Sequence, residues 1–240
     1  MDSIAGGGGI ISVPTYLLAF HGIPTYYALG TNKLSSFIGL TVSSGRFIKN
    51  GYVNWKLAVP SMVLAVIGAM GGTRLQHHTP DIVLKYLLLA VLPVVAFLSL
   101  KTKTWPDEPG EISFKKQAAI VWAASLVIGA YDGYYGPGTG TFLMIAFIRF
   151  AKMDVRYASG CTKVLNLSSN LGSLVSVLRS GYVCLGVGLI CAAAGIVGAN
   201  IGSTLAIKNG SKLVKPTVAF VLVLLCLKVL SEILFPEFWA

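Results

Sequence analysis

The strongest constraint in this 240-residue chain is a set of apolar stretches, each about as long as a bilayer is thick. VNWKLAVPSMVLAVIGAMGGT, DIVLKYLLLAVLPVVAFLSL, QAAIVWAASLVIGAY, YVCLGVGLICAAAGIVGANIGSTLAI and PTVAFVLVLLCLKVLSEILF are the clearest. A helix needs about 20 mostly apolar residues to cross the hydrocarbon core. Only 12% of the residues are charged and 55% are hydrophobic, whereas a soluble domain carries about 25% charged residues. Such a chain cannot cover itself with a water-facing surface, so it reads as an all-α polytopic membrane protein.

The chain is also a duplicate of itself. Sliding it by 130 residues aligns residues 2 to 100 with 132 to 230 without a gap, giving 20 identities in 99 positions. They include Asp2/Asp132, Gly6/Gly136, Gly8/Gly138, Tyr27/Tyr157, Gly30/Gly160, Lys33/Lys163, and Gly51-Tyr52-Val53 against Gly181-Tyr182-Val183. The expected organisation is a first transmembrane repeat over 1–100, a charged cytoplasmic linker over 101–116 and a second repeat over 117–240. Each half reads as a glycine-rich break with apolar flanks, a polar-rimmed helix starting near Lys33 or Lys163, and two apolar helices. Paired in-and-back helices are how irregular backbone is tolerated at membrane depth. In the second half they run from Gln117 to Tyr131 and from Thr139 to Phe150, so a complete half has five segments.

An odd number of segments reverses the sidedness of the second half, and loop charge supports that reversal. The loop near residue 22 carries no Lys or Arg, whereas its counterpart carries Arg149, Lys152 and Arg156. The loop with Arg46, Lys49 and Lys56 is matched by Arg179 alone, and the loop with Arg74 and Lys85 by Lys208, Lys212 and Lys215. Since cytoplasmic loops are the basic ones, the linker and the Arg46, Arg149 and Lys208 loops are expected in the cytoplasm. The C-terminus with Glu232 and Glu237 is expected outside. Two inverted repeats, 5+5-like with the first helix missing, are therefore the expected fold. The same pattern accounts for the net charge of +10, and without a basic stripe interleaved with aromatics no nucleic-acid partner is expected. Cys161, Cys184, Cys191 and Cys226 show no CxxC spacing and read as small packing residues. No metal or cofactor is expected.

The residues that carry chemistry cluster at the breaks DSIAGGGGIISVP and DGYYGPGTGTF. Exposed backbone N–H groups in such breaks, and helix N-termini beside them, favour an anion. The bland alternative, tight helix packing through small residues, is weakened because the two breaks match. It remains the reading for Gly68/Gly72 and Gly198/Gly202. The Gly133-to-Gly138 stretch is followed by Thr139 and not by lysine, which excludes a phosphate-binding P-loop. Lys33 and Lys163 are either snorkelling cations or functional ones, as ionisable groups inside membrane segments usually are. Spacing favours function: Lys163, Asn166 and Asn170 share one helical face. Asp2 and Asp132 can cap the following backbone, pair with a lysine or accept a proton. His77 and His78 read as solvated loop residues.

On Asp2-Ser-Ile-Ala-Gly-Gly-Gly-Gly9, Ala28-Leu-Gly-Thr-Asn-Lys33, Tyr131-to-Thr141, Thr162-Lys163 with Asn166 and Ser169-Asn170, and Gly198-Ala199 with Gly202, the chain resembles the TauE/SafE family of sulfite and organosulfonate exporters. The likeness extends over nearly the whole sequence. It implies passage of small sulfur oxyanions such as sulfite or sulfonates across the plasma (inner) membrane; the residue pattern by itself implies a small anion. Members of that family usually carry another apolar helix ahead of the first Asp-Ser-Ile-Ala-Gly motif, and packing of such a segment beside Gly6 to Gly9 is expected to stabilise the fold.

The expected substrate site combines Lys33, Lys163, Asn32, Thr162, Asn166 and Asn170 with the backbone of Gly6, Gly7, Gly8, Gly9, Gly136, Gly138, Thr139 and Gly140. Asp2 and Asp132 are the candidates for proton or ion coupling. The expected partners are the small anion and membrane lipid, with a homodimer as an option. The rivals are a proton- or cation-coupled carrier of another anion or organic acid, and a membrane enzyme or assembly factor. The last lacks any evident set of nucleophile, base or metal ligands. Inversion makes a direct prediction: a cysteine at Asn50 is labelled from the cytoplasm and one at Ser180 from outside. Labelling of both from one side would contradict it.

Overall fold

The computed structural model describes residues 2–20, 23–76, 78–79 and 105–234, and every regular element among them is helical. The loop at 21–22, His77, the apolar segment 81–100 with Lys85, the linker start at 101–104 and Glu237 lie outside the described residues, as do the side chains of Cys226 and Glu232. In chain order the helices are α1 (Asp2–Ala5), α2 (Gly9–Ala19), α3 (Thr25–Lys49), α4 (Trp55–Gln76), α5 (Phe114–Tyr134), α6 (Thr139–Arg149), α7 (Val155–Arg179), α8 (Leu185–Asn209) and α9 (Ser211–Leu234). Adding 130 to the bounds of α2 and α3 gives those of α6 and α7, and adding it to the start of α4 gives the start of α8. The duplication is therefore carried by the helix boundaries as well as by identities.

The polar-rimmed helices start earlier than expected. They begin at Thr25 and Val155, so that Lys33 and Lys163 lie in mid-helix. The reason is local. Pro24 precedes Thr25 with a fixed extended geometry, and the Asp154 carboxylate accepts the backbone N–H groups of Arg156 and Tyr157 at 3.0 and 3.1 Å. Both helices end on an equivalent glycine, Gly51 (φ 78°) and Gly181 (φ 74°). That left-handed turn lets the N–H of Tyr52 return to the Phe47 carbonyl and that of Tyr182 to Val177. The helix that follows the linker likewise opens at Phe114, three residues ahead of Gln117.

Helices α3 and α7 pack against each other at the centre, α3 also against α8, and α7 also against α4. Contacts exchange between the halves. A Cβ on Gly30, near the start of α3, would overlap the Tyr182 carbonyl beyond the end of α7; one on Gly160, near the start of α7, would overlap the Tyr52 carbonyl beyond the end of α3. The start of each central helix thus meets the end of the other. Gly68 and Gly72 bring α4 onto the backbone of α5, as small residues do where helices associate in lipid. Gly202 meets Ser3 of α1, whereas Gly198 has no neighbour within 4 Å.

The outer helices turn large apolar side chains outward, with Val127 of α5, Ile190 of α8 and Leu234 of α9 each more than 65% exposed. Helices α4 and α8 are long and apolar enough to cross a membrane. An apolar belt of this kind is compatible with lipid, not with water. The linker packs at one end of the bundle: Trp105 is buried, the N–H of Gly110 bonds the Lys152 carbonyl at 2.9 Å, and Asp107 accepts the Ser211 hydroxyl at 2.8 Å.

The exchanged glycine contacts carry a stability prediction. Gly30→Ala and Gly160→Ala each force backbone apart and lower the stability of the detergent-solubilised protein by about 1–3 kcal/mol. Gly45→Ala, where a Cβ meets nothing within 4 Å, raises it by about 0.5–1 kcal/mol through helix propensity. Thermal unfolding of the three variants checks both signs.

Candidate functional site

The two breaks meet at the centre of the bundle. Gly6, Gly136 and Gly138 have φ of 71°, 96° and 85°, values that only glycine adopts without strain. Gly6 and Gly140 are in backbone contact, so that a Cβ on either would overlap the other chain segment. The Thr141 hydroxyl donates to the Ala5 carbonyl at 2.9 Å. These close approaches place the N-terminal ends of α2 and α6 beside the mid-sections of α3 and α7.

Each lysine reaches across to the break of the other half. Lys33 Nζ donates to the Asp132 carbonyl at 2.7 Å, and Lys163 Nζ donates to the Asp2 carbonyl at 2.7 Å. Both lysines are buried, at 7% and 0% exposure, which rules out the snorkelling alternative. The side chains then break the equivalence. Lys33 also forms an ion pair with the Asp132 carboxylate at 3.0 Å, whereas Asp2 turns its carboxylate to the N–H of Gly8 at 3.0 Å.

Asp132, 2% exposed, is ringed by donors from three helices: Lys33 of α3, the Thr139 hydroxyl of α6 at 2.9 Å and the Ser169 hydroxyl of α7 at 2.7 Å. Asn170 bonds the carbonyl and side-chain oxygens of Asn166 at 2.8 and 3.0 Å and presents the same amide to Asp132. Asn32 accepts the Ser12 hydroxyl at 2.6 Å. Capping of the break, one of the three roles open to the aspartates, is what Asp2 does; pairing with lysine is what Asp132 does.

Between these groups lies a polar cavity of about 20 Å³. That is space for one water. Of the expected site residues Lys33, Asn32, Asn166, Asn170, Gly6, Gly9, Gly136, Asp2 and Asp132 line it. The others support it from outside. Gly138 caps α6, Thr139 holds Asp132, Gly140 lies on Gly6, Gly7 packs on Val221, and Gly8 faces a larger groove between α2, α3 and α8. Lys163 and Thr162 are buried beside the cavity and do not line it; the Thr162 hydroxyl has no partner among the described residues.

Ser36 and Leu40, three and seven residues after Lys33, also form the wall and are absent from the expected site, as is Ser12, the partner of Asn32. The repeat offered no signal for Ser12, whose equivalent is Phe142. Chemically, the cavity is lined by one ammonium, the carboxyl groups of Asp2 and Asp132, side-chain amides and glycine backbone, and the negative charge bound to Lys33 belongs to the protein itself.

Comparison with known proteins bears on the kind of activity. A family model described as "Sulfite exporter TauE/SafE" matches residues 1–229. A probable membrane transporter protein of Sinorhizobium is 36% identical over 235 residues, spanning 97% of this chain and 88% of its own. One from Haemophilus influenzae is 30% identical over 234 residues, spanning 97% and 90%. The probable membrane transporter YfcA of Escherichia coli is 29% identical over 233 residues, spanning 97% and 85%. No solved structure matches the chain. With its helical bundle, lipid-compatible surface and buried polar centre, this chain belongs to the TauE/SafE family of membrane transporters, which is not a family of enzymes.

Proposed function

We propose that the protein carries small sulfur oxyanions, such as sulfite or organosulfonates, out of the cell across the plasma membrane. In this reading two inverted repeats share one anion site at the centre. The observation that carries it is the reciprocal hook: Lys33 on the Asp132 carbonyl and Lys163 on the Asp2 carbonyl, equivalent bonds exchanged between the halves. Inverted repeats with a site at their interface generate such exchanged contacts. The meeting of the start of α3 with the end of α7, and of the start of α7 with the end of α3, supports the same arrangement.

The Asp132 carboxylate occupies the place an oxyanion would take. It sits on Lys33, near the start of α6, and accepts hydroxyl and amide hydrogens. An entering sulfonate or sulfite offers the same lone pairs and displaces it from the ammonium. Charge-assisted bonds from Lys33 hold the anion, while a single ammonium, unlike a bidentate arginine clamp, lets it leave. Displacement leaves the Asp132 carboxylate buried without its cation, a costly arrangement, and a proton moving with the anion is the coupling this geometry favours.

Flux of sulfite and methanesulfonate in proteoliposomes tests the reading. Lys33→Gln weakens anion binding by about 1.5–3 kcal/mol, the worth of a charge-assisted hydrogen bond, and Lys163→Gln lowers flux by releasing the Asp2 break, whereas Arg179→Gln leaves both unchanged. Because Lys33→Gln strands a buried carboxylate at a cost of about 3–5 kcal/mol, the double variant Lys33→Gln/Asp132→Asn separates lost binding from lost stability: it folds and still fails to carry the anion. Unchanged flux in both lysine variants would remove the site from the lysines. Asp132→Asn retains anion passage and loses its dependence on a pH gradient; a gradient response that survives in that variant places the coupling elsewhere.

A further inference from the structure

Among the described residues four buried hydroxyls have no hydrogen-bond partner: Ser43, Ser44, Thr162 and Ser173. A helical serine has an easy remedy, a bond back to the carbonyl four residues earlier. Ser61, Ser125, Ser168 and Ser203 all use it. Ser43, Ser44 and Ser173 do not, although they are at most 1% exposed and a buried orphan hydroxyl is costly. Ser43 and Ser173 are moreover the same position of the repeat, 130 residues apart, each ten residues beyond its lysine. Both repeats of the duplication therefore carry the same unpartnered hydroxyl.

Their positions relative to the cavity give the orphans a use. On α3, Ser36 and Leu40 line the cavity, and Ser43 and Ser44 are the next residues along that helix face. On α7, Asn166 and Asn170 line it and Ser173 comes next. Ten residues of helix advance about 15 Å. Since the start of α3 lies against the end of α7 and the reverse, the two polar faces leave the cavity in opposite directions. Each runs into an aromatic cluster built from equivalent residues. Tyr27 meets Tyr182 at 5.5 Å between ring centroids with Tyr26 beside them, and Tyr157 meets Tyr52 at 5.7 Å with Phe47 beside them.

We infer that Ser173, and Ser43 with Ser44, are the polar walls of two access paths that lead from the central cavity to opposite faces of the membrane. The Tyr26/Tyr27/Tyr182 and Phe47/Tyr52/Tyr157 clusters are their gates. Both paths are shut in this structure, which is why the cavity between them holds no more than about 20 Å³. When one cluster parts, the hydroxyl behind it donates to water or to the departing anion and the orphan is satisfied. The inference rests on the transporter reading above and adds to it the route and the residues along it.

The test uses a version of the full chain in which the four native cysteines are replaced by alanine and flux is retained. Ser43→Cys and Ser173→Cys are exposed to a membrane-impermeant thiosulfonate reagent in right-side-out and inside-out vesicles. The expected result is labelling of Ser43→Cys only from the face that bears Arg46 and Lys49, and of Ser173→Cys only from the face that bears Arg179, both slowed by saturating methanesulfonate. Labelling of both from one face overturns the two-path assignment. So does absence of labelling in vesicles when the denatured protein reacts. Ser43→Ala and Ser173→Ala give a second readout: several-fold lower flux with an unchanged or higher melting temperature, whereas a purely packing role leaves flux unchanged. Flux by the parent in the same vesicles reports the transporter reading separately, so that a wrong route shows as intact flux without sided labelling.

Discussion

Everything at the centre of this protein depends on two lysines that each hold the broken backbone of the opposite repeat. Lys33 and Lys163 are buried cations in a bundle whose outer surface is made for lipid, and a buried charge persists only with partners. The partners are backbone carbonyls beside the breaks: that of Asp132 lies in the last turn of α5, where carbonyls run out of intrahelical donors, and that of Asp2 accepts Lys163 together with the N–H of Gly6 at 2.7 Å. The glycines free the backbone, the backbone satisfies the lysines, and the lysines tie the halves together. Removing any one of these leaves the other two unsatisfied at a depth where water is scarce.

That mutual dependence also explains why the pseudo-symmetry is imperfect. If both aspartates faced both lysines, the centre would hold a neutral, closed set of charges. Instead Asp132 pairs with Lys33, while Asp2 caps the turn at Gly8, leaving Lys163 with a neutral carbonyl. The unmatched Lys163 ammonium stands behind the cavity and is tied to the Asp2 break. The buried Lys33–Asp132 pair is weak evidence for stability, since desolvation offsets its attraction.

Much of the fold was legible in the sequence because lipid imposes simple rules. The apolar stretches and the repeat offset of 130 led to helices whose bounds recur at that offset, and the glycine-rich motifs led to the breaks at Gly6 and Gly136. The polar motifs at Lys33 and Lys163 resemble helix starts in sequence but lie in mid-helix. The boundaries lie two turns or more earlier, where Pro24 sets the entry geometry of α3 and the Asp154 carboxylate caps α7. In a membrane bundle polarity inside a helix marks the side facing other helices, not its end.

Sequence by itself determined the class of the protein, the duplication, the two breaks and the identity of most groups near the cavity, because each follows from composition or from spacing along one helix. Tertiary structure alone decided which lysine meets which aspartate, that Lys33 faces the cavity while Lys163 stands behind it, and that Ser12 completes the Asn32 contact. It also decided which serines are left without partners. Those facts depend on how α3 and α7 cross and on close approaches of backbone at Gly6, Gly30, Gly140 and Gly160, where a Cβ would not fit. Contacts between residues roughly a hundred or more positions apart leave no mark in the local pattern of either segment, since helical periodicity records only which face is polar and not what stands opposite it.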